Sequence, residues 1–232
     1  MNNDKQLPVK FTAKELDLKF PDNILLTKDE QSKINNAIKD GGIVASDGRG
    51  FFDANVLPDL LSTDKKGAAK VIVDAADEDI LKNGNDKYLS MSATKKEIDK
   101  RIQEPRNVLK IEKLKHSEKC INTFRDAPEL EKERQMEAAR IAKERSTLTS
   151  KKIKVENITA CQLSGDKFNN DARGHHIKRV EDEPREARNL NNIVVVKENI
   201  HKDIHVCGAE SPEELIAYAK SHGYSIPDNL KG

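Results

Sequence analysis

Apolar side chains are too few in this chain to build one large core. Of the 232 residues, 36% are hydrophobic and 35% are charged, while aromatic residues make up 4% and Trp is absent. Burial of apolar surface is the main stabilising contribution to folding, and small domains bury a smaller share of their surface. We therefore expect an α+β protein made of several small packed units connected by exposed helix.

Charge is distributed evenly along the chain. Residues 1–105 carry 17 Lys/Arg and 19 Asp/Glu, residues 106–150 carry 11 and 8, and residues 151–232 carry 13 and 13, for a net charge of +1. A protein that binds nucleic acid through phosphate contacts usually has a strongly basic face. Affinity for nucleic acid must therefore come from local clusters, from a metal ion or from a partner.

Cysteine content and hydropathy indicate the compartment. Cys120, Cys161 and Cys207 are odd in number and include no C-x-x-C pair, which argues against a disulfide framework and a cysteine-type zinc site. The first ten residues lack the apolar segment of a signal peptide, and no stretch approaches the roughly 18 apolar residues of a membrane helix. These features predict a soluble cytoplasmic protein with reduced thiols and no membrane partner.

Residues 1–105 are predicted to form a small α/β module. Its first 26 residues lack a clean hydrophobic period and are expected to be extended or partly disordered. A capping box at Thr27 and Glu30 begins a helix, because the two side chains satisfy free amides of the first turn. Strand character is found in two short apolar runs, 43–45 and 71–73.

Residues 106–150 are predicted to form charged helices. One helix spans 108–124, and Pro128 with Glu129 begins a second helix that runs to about residue 145. The second helix is nearly all Glu, Lys, Arg and Ala, and its sparse apolar side chains form no sustained heptad. It is interpreted either as a spacer or coiled-coil arm, or as a solvated helix that packs across one neighbour.

Two further helices have clear end signals. Ser92 is the predicted N-cap of a helix that Pro105 ends. A capping box at Ser211 begins a helix over 212–222, and Gly223 is its predicted C-terminal residue in the left-handed conformation. The second of these helices is expected to cover the module that precedes it.

Histidine is concentrated near the C-terminus. Four of the six histidines fall within 31 positions, namely His175, His176, His201 and His205. His201 and His205 are four residues apart in a predicted helix, 197–205, so their imidazoles lie on one face and can share a divalent ion. His175 and His176 are adjacent in a predicted strand, where neighbours point to opposite faces. One of them can therefore bind the ion while the other acts elsewhere in the same cleft.

The segments around these histidines are predicted to alternate strand, loop and helix. Residues 158–177 have the pattern of two short strands around the turn Ser164-Gly165-Asp166. Residues 193–196 form a strongly β-prone run directly before the predicted helix. The order is therefore strand, strand or loop, helix.

This order carries a motif of residues with defined spacing: Gly174-His175-His176-Ile177, then Asn192, then His201 and His205. The pattern resembles the HNH branch of the His-Me finger (ββα-metal) nucleases. It is most similar to the DNase domains of colicins and pyocins, which have His-His where most members have Asp-His. The resemblance covers about residues 155–207, and nothing in residues 1–150 contributes to it.

The resemblance implies a role for each residue of the motif. His176 matches the general base that deprotonates water, and Asn192 matches the residue that ties the loop to the fold and orients the base. His175, His201 and His205 match the ligands of one divalent ion, either Mg²⁺ or a transition metal such as Zn²⁺, Ni²⁺ or Mn²⁺. A neutral imidazole near pH 7 suits proton abstraction, and one divalent cation can stabilise the charge that develops on the phosphate.

Basic side chains surround the motif in sequence. Those expected to contact phosphates of a nucleic acid are Arg173, Lys178, Arg179, Arg185 and Arg188. The alternative is that they pair with the neighbouring carboxylates Glu181, Asp182, Glu183 and Glu186. Arg173 also departs from the colicin pattern, which has an acidic residue shortly before the His pair.

Four other residues are expected to lie outside the chemistry. Cys161 is interpreted as a buried thiol, because no second cysteine pair exists to complete a zinc site. His116 and His222 are expected to have no role at the site. Asp203 lies between the two helix histidines in sequence but on another face, so it is expected to be solvated or to support a ligand.

The leading hypothesis is a metal-dependent endonuclease that acts on DNA rather than RNA and is encoded by a bacterium or a phage. Residues 1–105 would select the target or dock a protein partner or second copy, 106–150 would be a linker or arm, and 151–232 would be the nuclease. One alternative is a bacteriocin-like nuclease toxin held by an immunity partner, although residues 1–150 do not resemble translocation or receptor domains. The other is a catalytically inert ββα protein that binds nucleic acid or acts as an adaptor.

Overall fold

The computed structural model describes residues 8–231. The chain is an α+β protein that divides into two compact units, Met1–Glu137 and Ala138–Gly232. The division falls inside one long helix, whereas the sequence placed boundaries near residues 105 and 150. The difference arises because the helix that follows residue 107 packs into the core of the first unit.

The first unit contains a five-stranded antiparallel sheet. Its strands are β1 (Val9–Thr12), β2 (Gly42–Ala45), β3 (Gly50–Asp53), β4 (Ile80–Asn83) and β5 (Asp86–Ser90). They are arranged in the order β1-β2-β3-β5-β4. The predicted strand at 43–45 is thus confirmed. Of the segment 1–26, residues 1–7 lie outside the described part of the chain, and a 3₁₀ helix, Ala13–Glu15, follows β1.

Six helices begin in this unit: α1 (Lys28–Gly41), α2 (Leu57–Leu60), α3 (Lys65–Asp74), α4 (Met91–Gln103), α5 (Val108–Arg125) and α6 (Pro128–Glu156). The capping box predicted for α1 is present, with the Thr27 side chain accepting a hydrogen bond from the amide of Glu30. The N-cap of α4 is Ser90 and not the predicted Ser92, because the Ser90 hydroxyl accepts from the amide of Ala93 directly at the end of β5.

The strand predicted at 71–73 is wrong, because these residues belong to α3. Asp64 caps this helix by accepting a hydrogen bond from the amide of Gly67. Ala68 is buried, and Val71 and Ile72 pack partly buried against the same core, so the apolar positions follow helical spacing. A run of three β-branched residues was too short to distinguish the two periods.

The core of the first unit lies on both faces of the sheet. On one face, Phe52 packs against Phe124 of α5 with ring centroids 5.8 Å apart, together with the buried Ile38 of α1. On the other face, Ile43 and Phe51 belong to a second buried cluster. Burial on both faces explains why β2 is a continuous apolar run.

Helix α6 extends well beyond the predicted end near residue 145. Residues 146–156 are rich in Ser, Thr and β-branched residues, which have low helix propensity. Packing in the second unit holds them helical, since Leu148 and Lys152 are buried there. Asn157, with a φ of 52°, follows the helix.

The second unit is built on a two-stranded antiparallel sheet followed by a helix. Strand β6 (Ala172–His176) pairs with β7 (Ile193–Lys197), and α7 (Glu198–Val206) follows β7 directly. Of the two strands predicted within 158–177, only the second forms. The first makes only an isolated bridge, between Ala160 and Lys167, across the predicted turn. The second, β6, pairs with β7 and not with this segment.

Helix α8 (Pro212–Ser221) covers this unit, as predicted. Its capping box is present at Ser211 and Glu214, and Gly223 has a φ of 68° after its end. Leu215 and Ala219 of α8 share a buried cluster with residues of β7 and α7. The three cysteines of the chain are free, as predicted. Within residues 8–231, no helix combines the length and apolar character needed to span a membrane.

Candidate metal centre

Three histidines from β6 and α7 meet in the second unit. His175 lies on β6 opposite Val194 of β7, and its side chain is buried. His201 and His205 project from successive turns of α7, one half-buried and the other exposed. One ligand atom from each ring can be chosen so that all three lie within 4.8 Å of one another. The ring centroids are 4.7 to 5.5 Å apart.

The residues of this cluster fit a metal ion. The Nε2 atom of His175 is buried and has no hydrogen-bond partner in the part of the chain that the structure describes. Leaving a buried polar atom unpaired is costly unless something binds it. A metal ion shared by the three imidazoles would satisfy this atom, and three protein ligands with an open fourth position are typical of catalytic zinc sites.

The electrostatics of the cluster favour neutral imidazoles. Burial, together with the nearby rings of His201 and His205, lowers the pKa of His175 to about 4. Burial also lowers the pKa of His201, with the neighbouring His205 as the next cause. Only a neutral imidazole can donate a nitrogen lone pair to a metal. At His175 and His201, protons therefore compete only weakly with a bound ion near neutral pH.

His176 lies beside the cluster with its ring in a defined tautomer. Its Nε2 is 3.1 Å from the carbonyl oxygen of Ala187. A carbonyl can only accept, so Nε2 carries the proton and Nδ1 keeps a free lone pair. Burial lowers the pKa of His176, the Ala187 carbonyl acts in the opposite direction, and the positive charge of Arg145 lowers it again. His176 is thus held as a neutral base.

Asn192 is the last residue of the loop between β6 and β7. Its side chain is buried and does not line the cleft. Its Oδ1 accepts a hydrogen bond from the amide of Lys178 at 2.8 Å. Its Nδ2 donates to the carbonyl oxygens of Lys178 at 3.1 Å and Glu186 at 3.3 Å. Because Glu186 directly precedes Ala187, Asn192 positions the carbonyl that orients His176. It acts on the base through the loop and not by direct contact.

The four histidines open onto one cleft of about 340 Å³. The lining residues are Arg145, Gly174, His175, His176, Arg179, Val180, Glu181, His201, His205 and Glu210. Sequence reasoning missed Arg145 and Glu210, which lie outside the motif. Arg145 comes from α6. The sequence contains one signal for it, because residues 145, 149 and 152 are spaced so that they share one helical face.

The cations predicted to contact phosphates have different surroundings. Arg179 is paired with Glu181 and Asp182, two of the carboxylates named in the alternative interpretation, and also with Glu210, which was not among them. Arg173 is paired with Glu198, and Arg188 with Glu144. Lys178 and Arg185 are exposed and make no ion pair with any of residues 8–231. Of these five cations, only Arg179 lines the cleft.

The residues expected to be bystanders lie away from the cleft. His116 is buried in the first unit beside Cys120. Asp203 is not part of the histidine group; it accepts a hydrogen bond from the hydroxyl of Tyr218 at 2.7 Å and lies 3.7 Å from His222. Cys161 is buried, as predicted, and its sulfur accepts a hydrogen bond from the amide of Ser164.

No protein-family profile, curated protein or solved structure matches this chain.

Proposed function

We propose that the second unit is an HNH-type, metal-dependent endonuclease that hydrolyses phosphodiester bonds of DNA. The observation that carries the proposal is that a three-imidazole ligand group and a separately oriented neutral histidine open onto the same cleft. The order of β6, β7 and α7 is the one that the ββα-metal resemblance leads us to expect. Both lines of support concern residues 172–206.

The proposed metal is a transition ion of borderline softness as a Lewis acid, such as Zn²⁺ or Ni²⁺. His175, His201 and His205 would supply three nitrogen ligands, and no carboxylate within residues 8–231 belongs to the group. Imidazole ligands suit Zn²⁺ and Ni²⁺, whereas Mg²⁺ prefers oxygen ligands. When bound, the ion would stabilise negative charge on the phosphate and on the leaving 3′ oxygen.

The other chemical tasks fall to two side chains of the cleft. The Nδ1 atom of His176 would accept a proton from a water molecule as the water oxygen bonds to phosphorus and the bond from phosphorus to the 3′ oxygen breaks. The guanidinium of Arg145 would donate hydrogen bonds to a non-bridging phosphate oxygen. Arg145 is exposed in the cleft and makes no ion pair with any described residue, so its charge is available to the substrate.

The decisive experiment is a plasmid nicking assay with Mg²⁺, Mn²⁺, Ni²⁺ or Zn²⁺. We expect His176→Ala to lower the cleavage rate by about 10²- to 10⁴-fold, because that is the usual contribution of a positioned general base. His222→Ala is the matched control, since it removes a histidine of the same unit that lies outside the cleft. Equal nicking by wild type and His176→Ala would show that the assignment of the base is wrong.

Calorimetry separates the ligands from the base. Metal binding should be lost or strongly weakened in His205→Ala and nearly unchanged in His176→Ala. The reverse result would exchange the proposed roles of the histidines.

A second candidate is an inert ββα protein that binds nucleic acid or acts as an adaptor. It is favoured by one observation: three of the five predicted phosphate-binding cations, Arg173, Arg179 and Arg188, are already paired with carboxylates. Metal binding without cleavage under any of the four metals would support this candidate over the nuclease.

A further inference from the structure

The cleft has two arginines, and their electrostatic surroundings are opposite. Arg145 makes no ion pair with any of residues 8–231, whereas Arg179 faces three carboxylates. The Arg179 guanidinium is 2.8 Å from Glu181, 3.0 Å from Glu210 and 3.7 Å from Asp182. The positive charge of Arg179 is therefore more than neutralised locally.

Glu210 differs from the other two carboxylates in where it comes from. Glu181 and Asp182 lie within three residues of Arg179 on the same loop, but Glu210 belongs to the segment between α7 and α8. Arg179 and Glu210 both line the cleft, so their ion pair links two separate segments at its wall. Within residues 8–231, the Glu210 carboxylate has Arg179 as its ion-pair partner and no other.

Another anion can replace the Glu210 carboxylate on Arg179 at a modest cost in free energy. The side chains of Arg179 and Glu210 are 44% and 38% exposed, and exposed ion pairs contribute little to stability. A phosphodiester offers the same two-oxygen geometry to a guanidinium as a carboxylate does. A phosphate that enters the cleft can therefore replace Glu210 on Arg179, but it then lies beside the released carboxylate and is repelled by it.

We propose that Glu210 is a negative determinant of substrate binding, which holds Arg179 until a phosphate displaces it. This inference rests on the proposed function, because it names the group that limits access of nucleic acid to that cleft. Substitution of Glu210 should then increase affinity for nucleic acid.

The test is a binding measurement with the full chain. Fluorescence anisotropy of a labelled DNA duplex of about 20 base pairs would be recorded at about 50 mM NaCl and at higher salt. The protein would carry His176→Ala and bound Zn²⁺, and a gel would verify that the DNA stays intact. Glu213→Gln is the matched control, because it removes the same charge from an exposed residue that does not line the cleft.

We expect Glu210→Gln to tighten DNA binding by up to about five-fold at low salt, the upper end of the range that corresponds to one exposed ion pair. The slope of log affinity against log salt concentration should become steeper by about 0.9, the value for one more phosphate contact on duplex DNA. Glu213→Gln should change affinity much less. Arg179→Ala should weaken binding clearly in the Glu210→Gln background and only slightly in the presence of Glu210.

Two results would overturn the inference. One is that Glu210→Gln binds no more tightly than Glu213→Gln. The other is that Arg179→Ala costs the same affinity with and without Glu210. Either result, combined with metal-dependent nicking by the wild type, would leave the proposed nuclease function standing. Absence of DNA binding by every variant, together with absence of nicking, would overturn both.

Discussion

The Nε2 atom of His176 lies 3.1 Å from the carbonyl oxygen of Ala187, which fixes the ring of the proposed base to the loop between β6 and β7. Asn192 holds the same loop through three hydrogen bonds to its backbone. The orientation of the base therefore depends on a residue that never touches it. This relationship leads to the first testable expectation.

Asn192→Ala should lower cleavage through loss of loop order. It leaves the amide and the carbonyl of Lys178 without this partner, whereas the carbonyl of Glu186 still accepts from the amide of Asn189, and each buried group left unpaired costs about 1–3 kcal/mol. We expect a lower free energy of unfolding in urea and a reduced cleavage rate, with metal affinity much less changed. The neighbouring Asn191→Ala is the control, because Asn191 is exposed. A similar effect of both substitutions would contradict the positioning role.

The metal-free protein should lose stability as the pH is lowered from about 6.5 to about 4. Burial lowers the pKa of His175 from 6.5 to about 4, so in this window the unfolded chain binds a proton that the folded chain does not. Stability rises with pH wherever the unfolded state binds more protons, and this one group can contribute up to about 3 kcal/mol. Urea unfolding in EDTA would be measured at several pH values. The free energy of unfolding should depend less steeply on pH in His175→Gln than in the wild type. Equal slopes for the two proteins would contradict the burial of a neutral His175.

Transition ions should stabilise the protein and Mg²⁺ should not. A ligand that binds only the folded state adds about 2.7 kcal/mol at a free concentration 100 times its dissociation constant. We therefore expect Zn²⁺ or Ni²⁺ to raise the thermal unfolding midpoint of the wild type and of His222→Ala, but not of His201→Ala. An equal shift with Mg²⁺ would show that the nitrogen ligand group is not the binding site.

Gly174 should tolerate no side chain while Thr149 is present. A Cβ atom at Gly174 would lie 2.4 Å from Oγ1 of Thr149 on α6 and 3.1 Å from a methyl carbon of Ile193. We expect Gly174→Ala to lower the free energy of unfolding by about 1–3 kcal/mol, the usual cost of overpacking. The double variant Gly174→Ala/Thr149→Ala should recover part of this loss. Additive effects of the two substitutions would show that α6 does not approach β6 here.

One thiol should react in the folded protein and three in the unfolded protein. Cys207 is exposed, whereas Cys120 and Cys161 are buried. Burial also raises the pKa of Cys120 to about 12, which keeps it as the unreactive thiol at pH 8. Titration with a thiol reagent should give one fast equivalent, which disappears in Cys207→Ser. A second fast equivalent in the native state would contradict the burial of these side chains.

Local features of the fold could be read from the sequence. The caps at Thr27 and Ser211 and the turn to Gly223 were predicted, because each depends on hydrogen bonds between residues close in the chain. The run at 71–73 was misjudged, since three β-branched residues carry too little periodic information to separate strand from helix. The end of α6 was also misjudged, because burial of Leu148 and Lys152 keeps a segment of low helix propensity helical.

The candidate site divides in the same way. The i to i+4 spacing placed His201 and His205 on one face of α7, because helix geometry alone determines that relationship. The sequence could associate His175 with them only through the motif. Their distances, the unpaired Nε2 of His175 and the carbonyl that holds His176 depend on how β6 packs on β7 and α7.

By itself, then, the sequence determined where several helices begin and end and which histidines share a helix face. Only the tertiary structure decided that Arg145 of a helix assigned to a linker lines the cleft, and that Glu210 pairs with Arg179. The physical reason is that capping and helical spacing act over a few residues of chain. The cleft depends instead on close approach between distant segments, as at Gly174 and Thr149, which no local pattern records.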